Sequence, residues 1–269
     1  FCVNMPQEPE HDENGMLIGN NVTSDPAIRQ ALNIGIDRKA IIENALGGFG
    51  KPTMNWAQAL SWANNDLQES DNRVDEAVKI LEAAGWVDTD GDGIREKNGQ
   101  KAEFVINGRS NDLQRYNTAV ALAQDAKKLG INIIAKSTPW SEARKIARNI
   151  PTVWAGGDYT PQTIYNYFHS SQVGVNVINN SAMYRNPTVD AHIDRALAAA
   201  TDEEMLREFR AAQWDGVTGP KVDIPYLWIA TVQVPYFVNN QLDLGQLRVG
   251  ERGQGMGILI TLDEWQWKK

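Results

Sequence analysis

Ala102-Glu103-Phe104-Val105-Ile106-Asn107 and Ile131-Asn132-Ile133-Ile134-Ala135 frame the segment that decides the fold. Both are short runs rich in β-branched and aromatic residues. Between them Leu113, Tyr116, Val120, Ala123 and Leu129 form a helical stripe that opens at Asp112 and closes at Gly130. Asp112 suits an N-cap and Gly130 a C-cap. Strand, helix and strand in this order make a β-α-β unit, and predict an α/β lobe whose mixed β-sheet is flanked by helices.

The same punctuation continues on either side. Asp25-Pro26 places an N-cap before a proline at the first helical position, followed by Ile28, Ala31 and Leu32. Asp37 caps a second helix, with Ile41, Ile42, Ala45 and Leu46 inward and Gly47-Gly48 ending it. Val74, Ala77, Val78, Leu81 and Ala84 form a third stripe closed by Gly85. Asn186-Pro187 opens another helix, and Thr201 with Glu204 fits a capping box. Residues 152–155 read as a short strand and residues 224–238 as a long or broken one. From Asn239 onward the chain is glycine-rich and loses helical period, so a tail of different structure is expected.

Composition limits the function classes. The 269 residues are 42% hydrophobic and 22% charged, which excludes wholesale disorder and fibrous repeats. A net charge of −8 and a pI near 5.0 argue against nucleic acid or anionic lipid as a partner. The single cysteine, Cys2, forbids an internal disulfide and reads as a strand-buried thiol. Pro225 and Pro235 make residues 224–238 unsuitable as a membrane helix. With no initiator methionine and a start that reads like mid-strand, the sequence is expected to be a processed form or a piece of a longer chain.

Residues 24–41, Ser24-Asp25-Pro26-Ala27-Ile28-Arg29-Gln30-Ala31-Leu32-Asn33-Ile34-Gly35-Ile36-Asp37-Arg38-Lys39-Ala40-Ile41, resemble a signature of the family 5 extracellular solute-binding proteins of ABC importers. Further similar segments follow in the family's order. These are Ala77 through Gly85-Trp86, the Asp88–Gly99 turn, Lys128-Leu129-Gly130-Ile131-Asn132-Ile133, and Tyr184-Arg185-Asn186-Pro187-Thr188-Val189-Asp190. The resemblance implies a periplasmic-binding-protein-like lobe. Residues 5–234 would form the second, ligand-binding lobe. Residues 1–4 and 235–269 would be a hinge strand and a tail pairing with a first lobe, with Asn4, Met5, Val234 and Pro235 at the hinge. It further implies capture of a small solute, a peptide first, delivered to an ABC permease outside the cytoplasm by a monomer. A nickel chelate or another non-peptide solute is the alternative. No cofactor is expected. A carboxylate-dependent hydrolase is the rival class, but no nucleophile elbow, zincin motif, P-loop or dinucleotide fingerprint is present.

Asp158 leads the candidate ligand residues. It lies between Trp154 and Pro161, with Thr160 as an expected N-cap, and in peptide-binding relatives the aspartate of this motif pairs with the peptide ammonium. Capping of local amides is the competing role. Trp140, Trp154 and Tyr159 offer apolar area with a polar handle at a cleft mouth, against ordinary core packing. Arg144 and Arg148 either face a ligand carboxylate or are solvated helix charges. Asp88, Asp90, Asp92 and Glu96 begin like a calcium loop, yet Gly99 stands where the bidentate glutamate belongs, which favours a polar hairpin. His11, His169 and His192 have no metal spacing.

Overall fold

The computed structural model describes residues 10–12, 15–55, 60–64, 71–154, 160–233, 235–246 and 257–268. Cys2, Asn4, Met5, Asp158, Tyr159 and Val234 therefore lie outside the described residues.

Two short strands, β1 (Glu10–His11) and β2 (Leu17–Ile18), form an antiparallel pair ahead of the first helices. Helix α1 (Pro26–Gly35) starts where predicted, with the Asp25 carboxylate accepting from the Ala27 amide at 2.9 Å. That carboxylate also accepts from the Trp86 indole at 3.0 Å and from Lys97 Nζ at 2.6 Å. Burial alone would raise the Asp25 pKa, but these hydrogen bonds outweigh it and hold the group below its ordinary value. Asp37 caps α2 (Arg38–Leu46) through the Ala40 amide, and Gly47 ends the helix at φ 60°. β3 (Gly50–Pro52) follows, and then α3 (Val74–Ala83) after a connecting segment.

The hairpin of β4 (Glu96–Lys97) and β5 (Gln100–Lys101) closes the acidic loop. Carboxylate oxygens of Asp88, Asp90, Asp92 and Glu96 lie within 4.8 Å of one another. The Lys101 ammonium sits among them, hydrogen-bonded to Asp92 and 3.3 Å from Asp90. Asp88 meanwhile accepts from the Gly91 and Gly93 amides. This is the polar hairpin expected from the sequence, its negative charge offset by the chain's own cation.

The deciding segment folds as expected. β6 (Glu103–Arg109) and β7 (Asn132–Thr138) pair in parallel, Glu103 opposite Asn132 through Arg109 opposite Thr138. The connecting α4 (Leu113–Ala126) is capped by Asp112 at the Arg115 amide. Asn107 also makes a parallel bridge to Thr152, so residues near 152 add a third, very short strand. The α/β layering is as read, although among the described residues the strands form separate two-stranded ladders instead of one mixed sheet. Gly108 is where β6 meets α4. A Cβ there would stand 2.5 Å from the Tyr116 Cα, a backbone atom that cannot swing aside. Gly108→Ala is therefore expected to cost about 1–3 kcal/mol by overpacking, read as a lower urea midpoint with unchanged slope.

Two apolar cores result. The first joins α1 through α4 to β6 and β7 around Ile28, Leu32, Leu81, Trp86, Leu122 and Leu129. The second is built by α6 (Gln162–Phe168), α7 (Pro187–Ala198) and α8 (Asp202–Gln213), around Ile164, Phe168, Tyr184, Ile193 and Phe209. Asn186 and Thr201 cap α7 and α8 as predicted. Asn186 Nδ2 also reaches Thr218 Oγ1 at 2.8 Å, while the Tyr184 hydroxyl donates to Asp223 at 2.6 Å, so the Tyr-x-Asn-Pro residues act as an internal brace.

Residues 224–238 are not one strand. α9 (Pro220–Asp223) precedes them, and among the described residues only β8 (Ala230–Val232) pairs, antiparallel to β3. The preceding stretch alternates nonetheless: Leu227 and Ile229 pack on the first core, Tyr226 and Trp228 on the second. An extended segment wedged between two cores has the hydrophobic period of a strand without its ladder. In the tail, β9 (Leu242–Asp243) and β10 (Gln266–Trp267) pair with each other and, among the described residues, with no other strand. Among the described residues no helix is long and apolar enough to cross a membrane.

Candidate functional site

The carboxyl ends of the parallel strands gather the groups of interest. β6 ends on Arg109, β7 runs through Thr138 and Pro139 into Trp140 at the start of α5 (Trp140–Ile146), and the Thr152 bridge leads to Trp154. The rings of Trp140 and Trp154 meet edge to face, centroids 4.8 Å apart and planes at 61°. Arg109 lays its guanidinium over Trp140, 5.0 Å from the ring centre. The Trp154 indole donates to the Tyr167 hydroxyl; burial nevertheless raises the Tyr167 pKa above its ordinary value, and the indole offsets only part of that. Tyr167 stands 5.7 Å from Tyr226, which stands 5.5 Å from Trp228.

These five aromatic residues and Arg109 are half-buried, and Tyr167, Tyr226 and Trp228 pack against the second core. Arg109 Nε and, two residues earlier on the same strand face, Asn107 Nδ2 are buried donors with no acceptor among the described residues. The band thus combines apolar ring surface with a fixed cation and unused donor capacity, which suits an organic solute carrying a carboxylate or carbonyl. Beyond Tyr226 and Trp228 lies a small cavity of about 20 Å³ lined by Asn33, Asn55, Gln213 and Lys221, room for a water.

Of the predicted residues, Trp140 and Trp154 are brought together, and neither is buried in a core. Asp158 and Tyr159 lie outside the described residues. Thr160 is not the N-cap: α6 begins at Gln162, with Pro161 in the cap position and no side-chain cap bond. Arg144 is exposed on α5, as its solvated reading required. Arg148 needs correction. It is only 4% exposed, ion-paired with Asp12 at 3.2 Å and donating to the Asn176 carbonyl at 3.4 Å. Because α5 ends at Ile146, Arg148 sits in the turn that follows and points inward to tie down the β1–β2 loop, so it is neither a solvated helix charge nor presented to solvent. Pro235 is exposed. His192 bonds Glu208 at 2.8 Å and His169 contacts Ser171, so both are engaged within the chain.

Arg109, Asn107, Tyr167, Tyr226 and Trp228 were missed in the sequence. A cation closing the first strand of a β-α-β unit is a usable signal, since ligands of such folds gather at carboxyl strand ends.

Residues 4–176 match the family model described as bacterial extracellular solute-binding proteins, family 5 middle. The chain is 26% identical to the oligopeptide-binding protein AppA of Bacillus subtilis, over 91% of this chain and 45% of AppA. It is 32% identical to protein XP55 of Streptomyces lividans, over 74% of this chain and 37% of that protein. The structure of NikZ from Campylobacter jejuni in complex with Ni(L-His) superposes with a TM-score of 0.72 at 23% identity, covering 92% of this chain and 50% of that one. At that identity the likeness is one of fold. The chain spans about half the length, or less, of these relatives.

Proposed function

Because the chain belongs to the family 5 bacterial extracellular solute-binding proteins, we propose that it is the ligand-binding lobe of a protein that captures a peptide and hands it to an ABC permease outside the cytoplasm. One observation carries this reading: the open aromatic band from Trp140 through Trp154 and Tyr167 to Tyr226 and Trp228, with Arg109 stacked at its end. Rings tolerate varied side chains, because apolar area is undirected while indole and phenol donors find backbone carbonyls. Arg109 with Asn107 offers a carboxylate a charge-assisted partner, and Asp158 would offer one to an ammonium. A solute with both termini charged fits that pair better than a metal chelate, although NikZ, a relative in fold, was solved with Ni(L-His).

In this reading residues 5–234 form the lobe. Residues 1–4 and 235–269 run to the first lobe, with Asn4, Met5, Val234 and Pro235 at the hinge and the protein acting as a monomer. The tail's pairing with itself supports this division. Solute docks on the band, the hinge bends, and closure excludes water. No step of capture requires bond cleavage, so catalysis is no part of the proposal.

The test uses the protein with both lobes and the peptides that co-purify with it, identified by mass spectrometry. Trp140→Ala and Trp154→Ala are each expected to weaken peptide binding by about 2 kcal/mol, in the range of buried tryptophan anchors, with melting temperature nearly unchanged. Unchanged calorimetric affinity in the double variant would refute the band as the site.

A further inference from the structure

A second group of side chains, outside the aromatic band, has the layout of an activated nucleophile. His169 ends α6 and caps the single turn Ser170–Gln172. Its Nδ1 accepts from the Ser171 amide at 3.1 Å and lies 2.7 Å from Ser171 Oγ. A ring nitrogen that accepts an amide proton carries none itself, so the neutral imidazole holds its proton on Nε2 and the Ser171 hydroxyl directs its own toward Nδ1. Nε2 is buried, with no hydrogen bond among the described residues, and 3.3 Å from Asp194 Oδ1 on α7. The Tyr165 hydroxyl stands 3.2 Å from Ser171 Oγ, on the ring that packs 5.0 Å from His169. Ser171 itself is exposed and accessible to a small molecule.

We propose that Ser171 accepts acyl groups from small activated esters and passes them to water. Serine Oγ bonds the ester carbonyl carbon while its proton moves to His169 Nδ1, which releases its hydrogen bond from the Ser171 amide as it takes the proton. The tetrahedral oxyanion takes a hydrogen bond from Tyr165, and the carbon–oxygen bond to the leaving group breaks as Nδ1 returns the proton to that oxygen. Water then attacks acyl-Ser171, gives a proton to Nδ1, and the acid departs as Oγ recovers it. Asp194 is a positioning residue: its carboxylate faces the nitrogen that shares the positive charge once imidazolium forms. This activity is separate from solute capture and does not depend on it.

The intact chain incubated with p-nitrophenyl acetate tests the proposal by site-resolved mass spectrometry. Ser171 is expected to acetylate roughly 10²-fold faster than Ser141, an exposed serine on α5 without such a base. This ratio is read in the unaltered chain, so the outcome does not depend on any variant folding. Ser171→Ala removes the fast label, and His169→Gln brings Ser171 down to the Ser141 rate. Asp194→Ala slows acetylation of Ser171 but not of Ser141, and Asp194→Glu restores it, a rescue that a purely structural role would not give. Equal rates at Ser171 and Ser141, or a fast label that survives His169→Gln, would overturn the assignment. An unchanged Ser171 rate in Asp194→Ala would remove Asp194 from it.

Discussion

Arg38→Met is expected to destabilise the fold by about 3–5 kcal/mol, the cost of breaking a buried, hydrogen-bonded ion pair from one side. The Arg38 side chain is fully buried. Its guanidinium donates to the Trp228 carbonyl at 2.7 Å, the Asn33 carbonyl at 2.8 Å, Asn33 Oδ1 at 3.0 Å and Asp71 Oδ1 at 2.6 Å. Methionine fills much of the volume but leaves four acceptors, one of them charged, without their donor. Lysine should rescue little, because a point charge with three rotatable donors cannot reproduce a planar fork. Asp71 accepts from the Arg38 amide at Oδ2 and from the guanidinium at Oδ1; Asp71→Asn keeps one of these two acceptors, and its loss should be smaller than that of Arg38→Met. Urea denaturation of the three variants checks the order. An Arg38→Met chain as stable as the parent would mean that water, and not this network, satisfies the site. The consequence reaches the aromatic band, since Arg38 holds the backbone of Trp228, at the band's end.

How far the fold was legible follows from how local each cause is. Asp25, Asp37, Asp112, Asn186 and Thr201 all bond amides two or three residues ahead, and such caps are written in consecutive residues. The β-α-β unit was legible for the same reason, through its periodicity and its two caps. Arg148 was misread because its partner, Asp12, lies far away in sequence, and nothing near Arg148 shows that the chain turns inward after Ile146. Arg38 belongs to the quoted signature, yet the sequence gives no hint that Asp71 and the Trp228 carbonyl converge on it. The run 224–238, read as a long or broken strand, is among the described residues a strand only at β8, because alternation reports two-sided burial and not hydrogen bonding. Trp140 and Trp154 were legible as candidates from their places beside strand ends. Arg109 escaped because a lone arginine says nothing of the ring it covers until β6 and β7 are laid side by side in register.

In the protein with both lobes, Asp158→Ala is expected to cost about 2–5 kcal/mol in binding peptides with a free amino terminus, and little for N-acetylated ones. Asp158 follows Trp154 by four residues, and Trp154 stands at the carboxyl end of the short third strand, against Trp140 and Tyr167. The closeness of Asp158 in sequence to Trp154 is the ground for this expectation. Closure of the lobes would take the ion pair out of water, where an unpaired ammonium is strongly disfavoured. The two peptides separate the possible roles. If Asp158 only caps amides of its own loop, alanine should lower the melting temperature and weaken both peptides alike, since the defect would lie in the loop and not in the pairing. Asp158→Asn sharpens the comparison: it can still accept hydrogen bonds from amides but offers no charge, so a capping role predicts near-parental binding and an ammonium role predicts most of the alanine loss. A selective loss for free-amine peptides in both variants, with thermal stability held, would assign the charge to the solute.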